Sequence, residues 1–248
     1  MARTKKNTKT VNPHALILAD RSCLARMIQA AIPFASTDES RPHLASVAVG
    51  VFGRRAFVTA TDGHRIVAMR AKRDDAAIFG FHGGPEAPEY ARTKHDPILF
   101  PARKLAAALK GLKNPHANVR PHLGTVALFE YDAGTGEELS TRSVIWNREA
   151  QFPPFQQVCT PADPVESRAA VDPKYLAAIG DFAARIGAKH VAMTIAGELA
   201  PVICTAENDD FVAGIWQMPM RGDTSTARRD PIPAILFDPG PKIAAAAE

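Results

Sequence analysis

One pattern recurs three times along this chain and limits what it can fold into: a short apolar strand, an amphipathic helix, then three more strands. In the first unit His14–Leu18 reads as the strand, and Asp20 or Ser22 is available to cap the helix that follows. Leu24, Met27, Ile28, Ala31 and Ile32 fall on one helical face, Arg21, Ala25 and Gln29 fall on another with Arg26 nearby, and Pro33 ends the helix. Strands Ala45–Val51, Arg55–Ala60 and Ile66–Ala71 complete this unit. The second unit runs from strand Ile98–Phe100 through a helix opened by Pro101, with Leu105, Ala108, Leu109 and Leu112 inward. Strands near Val119–Arg120, Thr125–Tyr131 and Ser140–Trp146 follow. The third begins at strand Arg168–Val171; Asp172 and Pro173 then start a helix with Leu176, Ile179, Ala183 and Ile186 on its apolar face. Strands His190–Ile195, Val202–Thr205 and Phe211–Met218 close it. The expected fold class is α+β, with units of order β-α-β-β-β.

Between two of these strands stands Thr61-Asp62-Gly63-His64-Arg65. Asp-Gly between apolar runs is a strong hairpin signal, because glycine tolerates the positive φ of the turn. The turn does not require His64 and Arg65, so these two are candidates for contact with something outside the core. Four stretches stand apart from the units: a basic flexible arm at residues 1–13, a polar loop rich in Gly and Pro at 72–95, a linker at 160–166, and a tail at 223–248.

The net charge of +4 and pI of about 9.0 suit an anionic partner. No apolar run is long enough to span a membrane, and no apolar signal core follows the basic N-terminus, which points to the cytoplasm. Cys23, Cys159 and Cys204 are scattered, form no metal spacing and read as reduced thiols. Asp62 and His64 share one face of a strand, but no serine or cysteine sits in a nucleophile motif and no Gly-rich phosphate loop precedes a helix. The expectation is therefore a protein with no catalytic residues, no metal and no cofactor.

Thr61-Asp62-Gly63-His64-Arg65 resembles the signature of the bacterial sliding clamp, the ring-shaped beta subunit of the replicative DNA polymerase. Further landmarks come in the family's order: Asp38–Leu44 upstream, then Phe152–Val158, then Gln217-Met218-Pro219-Met220-Arg221. The resemblance implies clamp-like repeats with helices on one face of antiparallel sheets. By it, residues 14–156 match the family's middle domain and 157–222 the closing half of its last domain; the family's other parts have no counterpart here.

The resemblance also implies function. Partner proteins of clamps insert a short hydrophobic motif into one pocket. Its lining here would be Leu44, Thr61, Gly63, His64, Arg65, Ile66, Pro153, Val158, Leu199, Met218, Pro219, Met220 and Arg221. Gln157 stands for the family's usual Arg, and Trp216 and Gln217 for smaller aliphatic residues. The helices would face double-stranded DNA through Arg21, Arg26, Arg103, Lys104, Lys110, Lys113, Lys174 and Arg185, contacting phosphates without reading sequence. Taken singly each of these reads as a solvated charge; their recurrence in all three units raises the DNA reading. Asp181, between Lys174 and Arg185, interrupts the basic surface. The implied role is a replication or repair accessory protein that recruits polymerase or repair proteins. It would form a ring only by homo-oligomerisation. The alternative is a monomeric mimic that sequesters clamp-binding proteins. In the tail, Ile235-Leu236-Phe237 is flanked by prolines and resembles the Leu-Phe ending of clamp-binding peptides. Leu236 and Phe237 are expected either to occupy the pocket of their own or a neighbouring chain, or to pack on any nearby strand.

Overall fold

The computed structural model describes residues 13–52, 55–72, 97–120, 124–132, 135, 137–147, 150–154, 159, 169, 171–195, 197 and 200–219; for residues 13–21, 51, 52 and 120 it describes the backbone only. The arm up to residue 12, most of the 72–95 loop, the linker and the tail lie outside these residues, while Pro13, expected in the arm, begins the first helix.

The order is α1 (Pro13–Ala31), a short 3-10 turn (Ile32–Phe34), β1 (Ser46–Phe52), β2 (Arg55–Thr61), β3 (Arg65–Ala71), β4 (Ile98–Pro101), α2 (Ala102–Leu109), β5 (Pro115–Arg120), β6 (Thr125–Tyr131), β7 (Glu138–Ile145), α3 (Pro173–Ile186), β8 (Ala192–Ile195), β9 (Val202–Glu207) and β10 (Phe211–Gln217). Antiparallel pairing joins seven strands in the order β4-β1-β2-β3-β10-β9-β8, and three in the order β5-β6-β7. This is the mixed helix and antiparallel-sheet class that the sequence predicts.

The seven-stranded sheet is built from all three units. β4 leads the second unit yet pairs with β1 of the first. β10 closes the third unit and pairs with β3, from Phe211 opposite Ala71 to Gln217 opposite Arg65. Alternate residues of these strands face α1: Val47 and Val49, Ala56, Val58 and Ala60, Val67, Met69 and Ala71, and Phe211, Ala213 and Ile215 form one buried cluster with Leu24, Met27 and Ile28. Each fully buried Leu, Ile, Val or Met contributes about 1.5–3 kcal/mol. That apolar burial fixes the register, because a one-residue slip would turn the whole stripe outward.

Three expectations are corrected. Residues 14–18 are not a strand but part of α1, so Asp20 and Ser22 sit inside the helix rather than cap it. A run such as Ala15-Leu16-Ile17-Leu18 suits a helix as well as a strand. Ala25, expected on the outer face, is fully buried. Its small side chain lets α1 lie close between the sheets. Ala169 and Val171 belong to no strand, so the third unit, like the first, begins with its helix among the described residues.

The third helix starts as its sequence dictates. The Asp172 carboxylate accepts from the Lys174 backbone N–H at 2.9 Å, with Pro173 in the first turn. Gly187, at φ 72°, ends it, and the Ala188 N–H reaches back to the Ala183 carbonyl. Ile179, Ala183 and Ile186 are buried as expected, together with Phe182. Leu176, placed on the same stripe, is instead 43% exposed.

Candidate functional site

The hairpin between β2 and β3 is held from within. Asp62 Oδ1 accepts from the backbone N–H groups of His64 and Arg65 at 2.9 and 3.0 Å, and Thr61 Oγ1 accepts from the Gly63 N–H and donates to the Arg65 carbonyl. Gly63 takes φ 94°, so a side chain here would be strained. The consequence is a rigid turn that presents Gly63 and His64 to solvent.

The end of β10 meets this turn. The Met218 N–H donates to the His64 carbonyl at 2.9 Å, and the buried Gln217 side chain donates to the Met218 carbonyl at 3.0 Å. Leu44 closes the site from the loop before β1, its Cδ1 3.7 Å from where a Cβ on Gly63 would stand. The structure thus brings Leu44, Thr61, Gly63, His64, Ile66 and Met218 to one joint between the first and third units. Leu44 and Thr61 are buried in its floor; Ile66 and Pro219 are half-buried, and Met218 is 43% exposed. Pro153 is half-buried in the segment after β7. Val158, Leu199, Met220 and Arg221 lie outside the described residues.

Arg65 does not point out at the site. Its Nε donates to Asp62 Oδ2 at 3.0 Å and its Nη2 to the Pro33 carbonyl at 2.7 Å. The guanidinium lies over two rings, 4.7 Å from the centre of Phe34 and 5.0 Å from that of Tyr175 on α3. Phe34 in turn meets Phe182 of α3 edge to face, with centres 5.5 Å apart. Arg65 is therefore a fastener between the first and third units. The sequence reading did not single out Phe34, Tyr175 or Phe182; the aromatic spacing of Tyr175 and Phe182, two turns apart on α3, was the available signal.

Beyond Trp216 the outward face of the sheet opens into a groove of about 690 Å³, lined among others by Phe57, Ala68, Arg70, Val212, Gly214 and Trp216. The Trp216 ring covers Gly214, where an added Cβ would stand 2.4 Å from it. Trp216, which lines this groove, is the register partner of Ile66 at the hairpin joint. Cys159 borders the groove. Burial pushes its thiol up to about 12 and that of Cys204 up to about 11, so both stay protonated at neutral pH and neither is an activated nucleophile.

Of the three helices, α1 touches both α2 and α3. Of the basic candidates, Lys104, Lys110, Lys113 and Arg185 are exposed and their side chains pair with no carboxylate among the described residues. Three others are engaged. Arg26 is ion-paired with Asp210. Arg103 is bound at 2.9 Å to Glu39, whose carboxylate raises its pKa further, and Lys174 lies 3.6 Å from Asp172. The side chain of Arg21 lies outside the description.

No protein-family model matches this chain, and no curated protein matches its sequence. Solved structures do match. The DNA polymerase III beta subunit of Pseudomonas aeruginosa aligns with 82% of this chain and 65% of its own, at TM-score 0.53 and 15% identity. That of Thermotoga maritima aligns with 82% and 64%, at TM-score 0.54 and 13% identity. The Helicobacter pylori beta clamp aligns with 81% and 64%, at TM-score 0.58 and 10% identity. The chain thus spans about two thirds of the length of these clamps or slightly less. What this likeness establishes is the fold: the described chain has the fold of bacterial sliding clamps over part of their length.

Proposed function

We propose that this protein is a clamp-like accessory factor of DNA replication or repair. It holds short hydrophobic peptides of polymerases or repair proteins at the hairpin joint, and it contacts duplex DNA non-specifically along its helices. The observation that carries this reading is the Met218 N–H to His64 carbonyl bond. It brings two stretches far apart in sequence into one rim, with exposed Met218 and His64 above a floor of Leu44 and Thr61. An exposed methionine suits such a rim, since its flexible thioether repacks around varied apolar groups. Arg65 shapes the rim from beneath, and no side chain here is assigned a catalytic role.

A second reading, a monomeric mimic that binds partner peptides without encircling DNA, is favoured by the ion pairs that engage Arg26 and Arg103. Both readings use the same joint. A fluorescent peptide ending in Leu-Phe tests it by anisotropy. Met218→Asp is expected to weaken binding at least tenfold, since it places a charge where apolar surface is buried, at a cost of about 1.4 kcal/mol or more. His64→Ala is expected to weaken it less. Unchanged affinity in both variants would remove the joint as the binding site.

A further inference from the structure

The groove of about 690 Å³ lies on the face of the seven-stranded sheet that α1 does not cover. Alternation along β10 turns Phe211, Ala213 and Ile215 into the core and Val212, Gly214 and Trp216 outward. Across the ladder Gly214 stands opposite Ala68 and Val212 opposite Arg70, and Phe57 is the partner of Arg70 on its other side. The wall is therefore largely apolar, and its size falls within the ~300–1,000 Å³ of sites that take apolar ligands. The rim is charged. Glu207 is engaged by Lys72 at 2.9 Å, whereas the exposed Arg70 side chain pairs with no carboxylate among the described residues.

The chain carries a segment whose chemistry fits this surface. In the tail, residues 231–237 (Pro-Ile-Pro-Ala-Ile-Leu-Phe) have no charge and are bounded by Asp230 and Asp238. Pro231, Pro233 and Pro239 favour an extended form, so less conformational freedom is lost on docking. The described chain ends at Pro219, directly after β10, and a tether of about 15 residues separates it from Ile235. As a flexible chain that tether spans roughly 20 Å. Counting about 3.3 Å per residue back along β10, Trp216 lies roughly 10 Å and Val212 roughly 23 Å from Pro219. The span matches the distance, which is the condition under which a tether gives its highest effective concentration.

We propose that residues 231–238 dock in this groove of their own chain, with Ile235, Leu236 and Phe237 against Val212 and Trp216 and with Asp238 beside Arg70. Of the destinations the sequence allows the tail, this is the sheet face and not the hairpin pocket. Charge decides between them. At the hairpin joint the Arg65 guanidinium is already held by Asp62 and the Pro33 carbonyl, so it offers nothing to Asp238, whereas Arg70 at the groove is available. The apolar run then meets an apolar wall while the carboxylate that follows it meets a cation. This inference rests on the groove and the tail alone and holds whether or not the peptide and DNA readings do.

Phe237→benzoylphenylalanine, a photocrosslinking variant of the full chain, tests this. Irradiation followed by peptide mass spectrometry is expected to join position 237 to residues 68–70, 205–207 or 212–216 of the same chain. Val212→Asp places a carboxylate in the apolar wall and is expected to lower the crosslink yield about tenfold or more. Should that variant fail to fold, the exposed Arg70 serves instead. Arg70→Glu is expected to lower the yield about threefold, and adding Asp238→Arg to restore it. Crosslinks to residues 61–66 or 218, crosslinks that join two chains, no crosslink at all, or a yield unchanged by the groove variants would overturn the proposal.

Discussion

Replacing Phe34 with alanine is expected to lower the unfolding free energy by about 3–5 kcal/mol, the range for removing a buried phenyl ring. For a chain of this size that corresponds to a thermal midpoint lower by roughly 10 °C. The effect is large because the ring has three roles at once. It is 1% exposed, it meets Phe182 of α3 edge to face, and it forms the surface on which the Arg65 guanidinium lies. Without it, Arg65 keeps Asp62 and the Pro33 carbonyl but loses one of its two ring contacts, and α3 loses its edge-to-face contact with the first unit. Peptide affinity should therefore fall with stability, although Phe34 lies beneath the rim. Leu128→Ala serves as the comparison: it is fully buried in the smaller sheet, so it should destabilise by about 2–5 kcal/mol and leave the peptide affinity of the folded protein unchanged. A loss below about 1 kcal/mol for Phe34→Ala would mean the joint is not packed as described.

Changing Lys104, Lys110 and Lys113 together to alanine is expected to weaken duplex DNA binding roughly 10–100-fold at low salt. It should also make the log–log salt slope less negative by about 2–3. Each phosphate neutralised contributes about 0.9 to that slope, and these three side chains are exposed and engaged by no carboxylate among the described residues. Arg103→Ala should change the slope less, because Glu39 already holds the guanidinium at 2.9 Å. Titrations of one duplex across salt concentrations, repeated with a second sequence, check both numbers. An unchanged slope in the triple variant would take α2 off the DNA and favour the monomeric mimic.

Much of the fold is legible in the sequence. Thr125–Tyr131 is β6 to the residue, and β1 to β3 lie within one residue of the alternating runs that announce them. Asp172 caps α3 as expected, because capping is local chemistry between neighbours. What escapes a single sequence is long-range. Whether residues 14–18 are helix or strand depends on what they pack against, and an apolar run cannot say. The hairpin is legible because Asp-Gly determines a turn, but Arg65 turns inward only because Phe34 and Tyr175 provide the surface for it. Arg26 and Arg103 read as free cations until the fold brings Asp210 and Glu39 beside them. Leu176 fits a buried stripe by period, and its exposure shows that a stripe is buried only where something covers it.

The central claim is that the hairpin joint binds partner peptides. The most direct measurement is amide exchange of the full chain with and without a saturating peptide that ends in Leu-Phe. The account predicts slowed exchange in residues 61–66 and 217–219, at opposite ends of the Met218 N–H to His64 carbonyl bond, with little change in β5 to β7. Saturable binding with protection only elsewhere, for instance along the Trp216 groove, or no saturable binding at all, would contradict it.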